Sequence, residues 1–252
     1  MQHKEIKRIL VSQPEPSSTR SPYFKIAEEC GVEFTFKPLF SIEPIGVRPI
    51  RDQKIDPLDF SGVVLTSRTI TDHFFTQLKE MRIELPATMK YYCISEVIAG
   101  YLQKYIQVRK RRVYIPATNG SHDELLEIIL KKKKESFLIP CIEGQKDTIS
   151  TVLEEKGFAM ARYVVSKTAF TPVDEAFVKG FDLMIFFSPN GVHSLFQNIP
   201  DYTQGDQIIG CLGEGTLSAL KEAGLKVELT APTPEAPSIT AALEQYLKKS
   251  VQ

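Results

Sequence analysis

An α/β fold built of two similar lobes is predicted by three observations on this 252-residue chain. Short apolar runs rich in Val, Ile and Phe alternate with amphipathic stretches throughout, the pattern of parallel strands covered by helices on both faces. The pattern also repeats. VVLTSRTITDHFF (63–75) returns as MIFFSPNGVHSLF (184–196) with Ser67 and Ser188 in register, and ISEVIAGYL (94–102) returns as LGEGTLSAL (212–220). NGSHDELLEIIL (119–130) matches EAPSITAALEQYL (235–247), and EECGVEFTFKPLF (28–40) foreshadows EEKGFAMARYVVSKTAF (154–170). The order is therefore unit A, unit B, unit A, unit B, and the first unit A is too short to cover both faces of a sheet by itself.

Each element follows from local pattern. Strands are expected at 7–12, 32–36, 62–67, 90–95, 113–116, 136–140, 158–167, 182–188, 207–213 and 226–230. Helical spacing is clearest in TITDHFFTQLKEM (69–81), which aligns Ile70, Phe74, Leu78 and Met81, and in SITAALEQYLKK (238–249), which aligns Ile239, Leu243 and Leu247. Residues 50–165 supply one complete lobe of strand–helix repeats. Residues 1–40 join 173–252 in a second, discontinuous lobe. The chain crosses between lobes at 40–50 and 166–173, where Pro and extended-type residues concentrate. A single ten-stranded sheet is the competing architecture, disfavoured because the repeat units would be redundant in it. Two lobes imply a cleft between them as the expected place for chemistry.

Composition narrows the class. Apolar content of 42% and charged content of 25% are those of a globular protein, and 31 basic residues balance 31 acidic ones. That balance argues against nucleic acid or a membrane surface as partner. The basic runs 109–112 and 131–134 precede strands and read as solvated surface. The beginning, MQHKEIKRILVSQ, lacks the apolar core of a signal peptide, and no run reaches the length of a membrane span. Cys30, Cys93, Cys141 and Cys211 are widely spaced in or beside apolar segments, so buried free thiols in a cytoplasmic setting are expected.

In open parallel sheets ligands bind beyond the carboxyl ends of strands. The loops expected there are Thr66-Ser67-Arg68-Thr69, Ser95-Glu96, Ser188-Pro189-Asn190-Gly191, Gly213-Glu214-Gly215-Thr216 and Ser12-Gln13-Pro14. Their hydroxyls, glycines and backbone N–H groups suit an anion at helix N-termini, although the same residues cap helices whatever the function. His3, His73, His122 and His193 form no metal-ligand spacing, and surface placement is expected for His73 and His193. GCLGEG (210–215) fits a dinucleotide turn poorly, and neither a phosphate loop nor a GxSxG elbow is present. No metal and no cofactor is expected. An enzyme of this kind would work by positioning and backbone donors.

Four segments in order carry a family resemblance: VVLTSRTITDHF (63–74), IFFSPNGVHSLF (185–196), CLGEGTLSALKEAGL (211–225) and APTPEAPSITAALEQYL (231–247). Together they resemble the uroporphyrinogen-III synthases, and the resemblance spans essentially the whole chain. It implies two flavodoxin-like lobes joined by a two-stranded crossing ladder. It also implies cyclisation of hydroxymethylbilane to uroporphyrinogen III, with loss of water and inversion of the last pyrrole ring, by a cytoplasmic, monomeric, cofactor-free lyase. The partner is then a linear tetrapyrrole, handed over by the preceding enzyme. Ser67, Ser188 and Thr216 match the family's cleft-lining hydroxyls, and Gly191 and Gly213 match its turn glycines. Substrate contacts are expected from Thr66, Ser67, Arg68, Ser95, Glu96, Ser188, Pro189, Asn190, Gly191, Gly213 and Gly215. Tyr163, Ser166 and Thr216 are the hydroxyls expected to assist departure of water. Three positions depart from the family pattern: Ser166 stands where it has a tyrosine, Ile98 where it has a threonine, and Gln13 where it has an arginine. A diverged, non-catalytic two-lobe binder of a polyanion is the alternative those departures permit.

Overall fold

A computed structural model describes residues 6–107 and 109–250. The first half runs β1 (Arg8–Val11), α1 (Pro22–Cys30), β2 (Glu33–Phe36), β3 (Phe40–Pro44), α2 (Val47–Asp52), β4 (Gly62–Leu65) and α3 (Arg68–Met81). It continues through β5 (Lys90–Cys93), α4 (Glu96–Tyr101), β6 (Val113–Tyr114), α5 (His122–Leu130), β7 (Phe137–Ile142), α6 (Thr148–Glu155) and β8 (Met160–Phe170). The remainder is α7 (Glu175–Lys179), β9 (Leu183–Phe186), α8 (Pro189–Asn198), β10 (Ile208–Leu212), α9 (Glu214–Glu222), β11 (Leu229–Ala231) and α10 (Ile239–Ser250). The chain divides into two compact units, Met1–Ser41 with Ala169–Gln252, and Ile42–Thr168.

The discontinuous unit holds a five-stranded sheet of order β11-β10-β9-β1-β2, parallel throughout. Its central strands β1, β9 and β10 are buried on both faces. Ile9, Val11, Leu183 and Ile185 join a cluster with Tyr23 and Ile26 of α1 and Leu243 and Leu247 of α10. The alternate residues Leu10, Met184 and Phe186 join Val178, Val192, Leu195 and Leu220 of α7, α8 and α9 on the other face.

The continuous unit holds a sheet of order β3-β8-β7-β4-β5-β6. Strands β4 to β8 are parallel. β3 runs antiparallel to β8, since Ile45 N–H donates to the Val165 carbonyl at 3.1 Å while Thr171 N–H donates to the Leu39 carbonyl at 2.8 Å. The crossing segments thus pair as the two-stranded ladder expected of them, satisfying their own backbone groups, and 40–50 also contains the start of a short helix. One core cluster unites Val63, Val64 and Leu65 of β4, Ile70, Phe74 and Leu78 of α3, Phe137 and Leu138 of β7, and Tyr163 and Val165 of β8.

An irregularity in β8 positions later chemistry. Its pairing with β7 runs in step from Phe137↔Met160 to Cys141↔Val164, then jumps to Ile142↔Ser166. Val165 is therefore an extra residue, a β-bulge. Alternation alone would put Ser166 on the face of half-buried Val164. Instead Tyr163, Val165 and Ser166 are all buried, and Tyr163 and Ser166 both meet α3.

Side-chain amides bind the strands that pass out of each unit. On α3, Gln77 Nε2 donates to the carbonyls of Ile45 (2.7 Å) and Val165 (2.8 Å). Gln53 continues the edge past the end of β3, donating to the Val164 carbonyl at 2.8 Å and accepting from Val164 N–H at 2.9 Å. On α8, Asn198 Nδ2 donates to the Thr171 carbonyl at 3.0 Å, and Ser194 Oγ donates to the Leu39 carbonyl. With Ser67 and Ser188 in register, Gln77 matches Asn198, so the repeat preserves this role as well as the elements.

Candidate functional site

Strand order reverses once in each sheet, and the carboxyl ends flanking each reversal are the places where loops part to leave a crevice. In the discontinuous unit the reversal lies between β1 and β9, because β1 leads outward to β2 while β9 leads the other way to β10 and β11. Ser12 follows β1, and its N–H donates to the Ile185 carbonyl at 3.0 Å. Ser188 follows β9 and caps α8, accepting from Gly191 N–H at 3.4 Å, with Pro189 at the first helical position. A side-chain carbon on Gly191 would stand 3.7 Å from Ser12 Oγ and 3.5 Å from Phe186, ordinary contacts that mark how near α8 begins to β1. Gly215 is the same kind of neighbour, 3.9 Å from Pro189 by that measure. Asn190 is half-buried beside it.

Gly213 leads into α9 at φ 85°, ψ 149°, a conformation essentially closed to side-chain-bearing residues. That turn sets Thr216 in the first turn of α9. Thr216 is only 3% exposed, yet its hydroxyl oxygen has no hydrogen-bond partner among the described residues and is not among the enclosed polar atoms. It is a donor that reaches the surface unused.

In the continuous unit the reversal lies between β4 and β7. Ser67 follows β4 and caps α3, accepting from Ile70 N–H at 3.2 Å, with half-buried Thr66 before it. Ser95 follows β5 and caps α4, accepting from Ile98 N–H at 3.2 Å. Ser67, Ser95 and Ser188 share one backbone geometry, with φ of −149°, −155° and −159°. Arg68 lies outside over the Tyr101 ring, 5.4 Å from its centroid. Glu96 is exposed, and its N–H is bound by Asn119 Oδ1 at 3.1 Å. The far side of this reversal is the loop after β7, where Asp147 caps α6 and pairs with Arg162 at 3.8 Å, a contribution the sequence reading missed.

The third candidate hydroxyl behaves unexpectedly. Ser166 is 0% exposed, and its Oγ lies 2.7 Å from His73 Nδ1. His73 was expected on the surface, but it is half-buried because the bulge turns Ser166 toward the second turn of α3. Its Nε2 has no partner among the described residues and is not enclosed. Burial pushes the imidazole below its ordinary pKa, offset in part by the charge of Asp72. Burial would raise the Asp72 carboxyl, but hydrogen bonds from Tyr105, Lys104 and Tyr101 outweigh it and hold the group lower. Tyr163 is not brought to this pair. It lines a cavity of about 380 Å³ with Met81 and Ile83, beyond the C-terminal end of α3, and burial raises its phenol to about 12.

The family-type substitutions have local explanations. Ile98 is buried in the core cluster of its unit, where a threonine would bring a hydroxyl into apolar surroundings, and Gln13 is exposed. His193 and His122 are exposed, and His3 lies outside the described residues. Cys93, Cys141 and Cys211 are buried free thiols as expected, whereas Cys30, at the last residue of α1, is free but only half-buried. Among the described residues no group of three or more His, Cys, Asp or Glu is placed to hold a metal ion, and no helix is long and apolar enough to cross a membrane. A cavity of about 1040 Å³ lies at the opposite strand ends of the continuous unit, lined by Phe75, Leu85 and Tyr105 and rimmed by Arg82 and Arg112. It includes none of the strand-end hydroxyls.

A family model described as uroporphyrinogen-III synthase HemD matches residues 22–241. The chain belongs to that family. Among solved structures, a mutant uroporphyrinogen III synthase from the extremely thermophilic bacterium Thermus thermophilus is 17% identical, with 98% of this chain and 99% of that one covered at a TM-score of 0.58. The uroporphyrinogen-III synthetase of Helicobacter pylori is 15% identical, with 97% and 100% covered at a TM-score of 0.60. These two likenesses establish the fold. Membership of the uroporphyrinogen-III synthase family gives the strand-end hydroxyls a substrate class to be weighed against.

Proposed function

We propose that this protein cyclises hydroxymethylbilane to uroporphyrinogen III, releasing water, as a cofactor-free lyase of tetrapyrrole synthesis. The observation that carries the reading is the family match over residues 22–241. The strand-end turns support it chemically. A tetrapyrrole with an acetate and a propionate on each ring presents many carboxylates, and serine caps with helix N-termini are suited to receive them. In the continuous unit the residues offered to the substrate are Thr66, Ser67, Arg68, Ser95 and Glu96, and in the discontinuous unit Ser188, Pro189, Asn190, Gly191, Gly213 and Gly215.

The C–O bond of the hydroxymethyl group breaks, leaving a cation delocalised over the first ring. The substituted carbon of the last ring must then attack it, because attack by the free α-carbon gives the uninverted isomer. Orientation is thus the main catalytic task, worth several kcal/mol when reacting atoms are held in line. Thr216, with its unused hydroxyl, hydrogen-bonds the departing oxygen. Tyr163 is the weaker candidate, since its phenol lies with the far cavity. The protein works in the cytoplasm as a monomer that receives its substrate from the preceding enzyme.

The test supplies hydroxymethylbilane and separates the oxidised isomers. Isomer III is expected with the protein and isomer I without it; isomer I alone in both would overturn the enzyme and leave a binder. Thr216→Ala is expected to lower kcat about a hundredfold, the usual scale for losing a donor to developing charge. An unchanged kcat would remove Thr216 from the chemistry.

A further inference from the structure

We infer that His73 is a proton-transferring residue of this chain, with Ser166 as the residue that positions it. The inference rests on the proposed cyclisation and adds to it a group not found among the expected hydroxyls. Its ground is geometric. One imidazole nitrogen is anchored inward on a fully buried hydroxyl at 2.7 Å, while the other has no partner among the described residues and is not enclosed. The pair stands at the carboxyl-end side of the sheet, since Ser166 is beside the last residue of β7 and His73 is in the second turn of the helix that Ser67 begins. A serine there needs no imidazole to fold, and a solvated histidine needs no bulge to hold it.

The contact fits either tautomer of the ring; the proposed one has Nδ1–H donating to Ser166 Oγ and the lone pair on Nε2, the open nitrogen. The cyclisation ends with loss of one proton. After attack by the substituted carbon of the last ring, its original methylene bond breaks and re-forms at the ring's free α-carbon. That carbon's C–H bond then breaks and its electron pair restores the pyrrole. The proton passes to Nε2 of His73, which becomes imidazolium. It then joins the hydroxide freed when the C–O bond broke, so the products are the macrocycle and water, with no net change in His73. Partial burial supports this use by keeping the imidazole neutral near pH 7. The charged groups near the pair are Asp72 on the same helix, itself held by Tyr101, Lys104 and Tyr105, and exposed Lys167 and Glu143 flanking Ser166 on β8 and after β7.

The test compares the full-length chain with His73→Gln, His73→Asn and Ser166→Ala, each first checked for native circular dichroism and melting. His73→Gln is expected to lower kcat for isomer III about a hundredfold with KM little changed, and to remove the acidic limb of the kcat–pH profile. Ser166→Ala is expected to keep that limb while lowering kcat about tenfold, the mark of a lost positioning contact. Nitrogen-15 shifts of His73 in the wild type are expected to place the pyridine-type nitrogen at Nε2. Wild-type kcat and pH profile in His73→Gln and His73→Asn would overturn the inference, as would a pyridine-type Nδ1. A wild-type protein that makes no isomer III would sink the cyclase reading instead, while the nitrogen-15 result would still decide the anchoring.

Discussion

At Ser67, Ser95 and Ser188 the hydroxyl oxygen accepts from the first helical turn, which leaves the hydroxyl proton free to donate outward. Capping and anion binding therefore use different halves of one group. Gln77 shows a stricter case. It is buried, gives two hydrogen bonds from one nitrogen, and leaves its own Oε1 unpaired. Gln77→Leu is expected to cost about 1–3 kcal/mol in urea unfolding, because both strand carbonyls lose a donor; an unchanged midpoint would deny the amide its role. Cys93 illustrates burial without function. Desolvation raises its thiol to about 12, so at pH 8 only about one molecule in ten thousand carries the thiolate. Labelling of native Cys93 by a thiol reagent is expected to await unfolding and to quicken as pH rises toward 12.

At the scale of elements, the strands were legible because apolar runs bounded by Gly, Pro and polar residues leave little choice of structure, and α3 because Ile70, Phe74 and Leu78 keep helical spacing. The β3 segment, FSIEP, was less legible: it alternates weakly and carries Pro, and only its antiparallel partner makes it a strand. The serine turns could be read from the repeat, since Ser67 and Ser188 share a register. The His73–Ser166 pair could not, for it joins residues 93 positions apart through a bulge that leaves no local mark. One sign was available in retrospect: Thr71 and Gln77 interrupt the buried side of α3, and polar groups there must find partners. Gly213 is the element junction most exposed to test. Gly213→Ala is expected to cost about 1–3 kcal/mol of stability through backbone strain and to lower activity by displacing Thr216. A variant as stable and active as the wild type would contradict that geometry.

For the whole molecule, strand order decides which parts stand alone. Residues 42–168 are continuous and contain a complete core cluster. The other unit places β1 between β9 and β2, so residues 169–252 without the N-terminal segment would present β9 as a bare edge and lose Ile9, Leu10 and Val11 from both faces. The fragment 42–168 is therefore expected to give dispersed amide spectra and cooperative unfolding. The fragment 169–252 is expected to do so only when 1–41 is added. Independent folding of 169–252 would show that β1 is dispensable.

The bulge at Val165 has one more consequence. A strand assigns its side chains to faces by counting, odd to one side and even to the other, and an inserted residue changes the parity of everything after it. Ser166 reaches α3 only because the count is off by one. Deleting Val165 would make the pairing with β7 regular and leave Ser166 opposite Ile142, on the face of Tyr163, so the polar pair would keep its side of the sheet. Adding a residue between Val165 and Ser166 with pairing kept in step would instead turn Ser166 away from α3, so one codon separates a strand that holds the pair from one that does not.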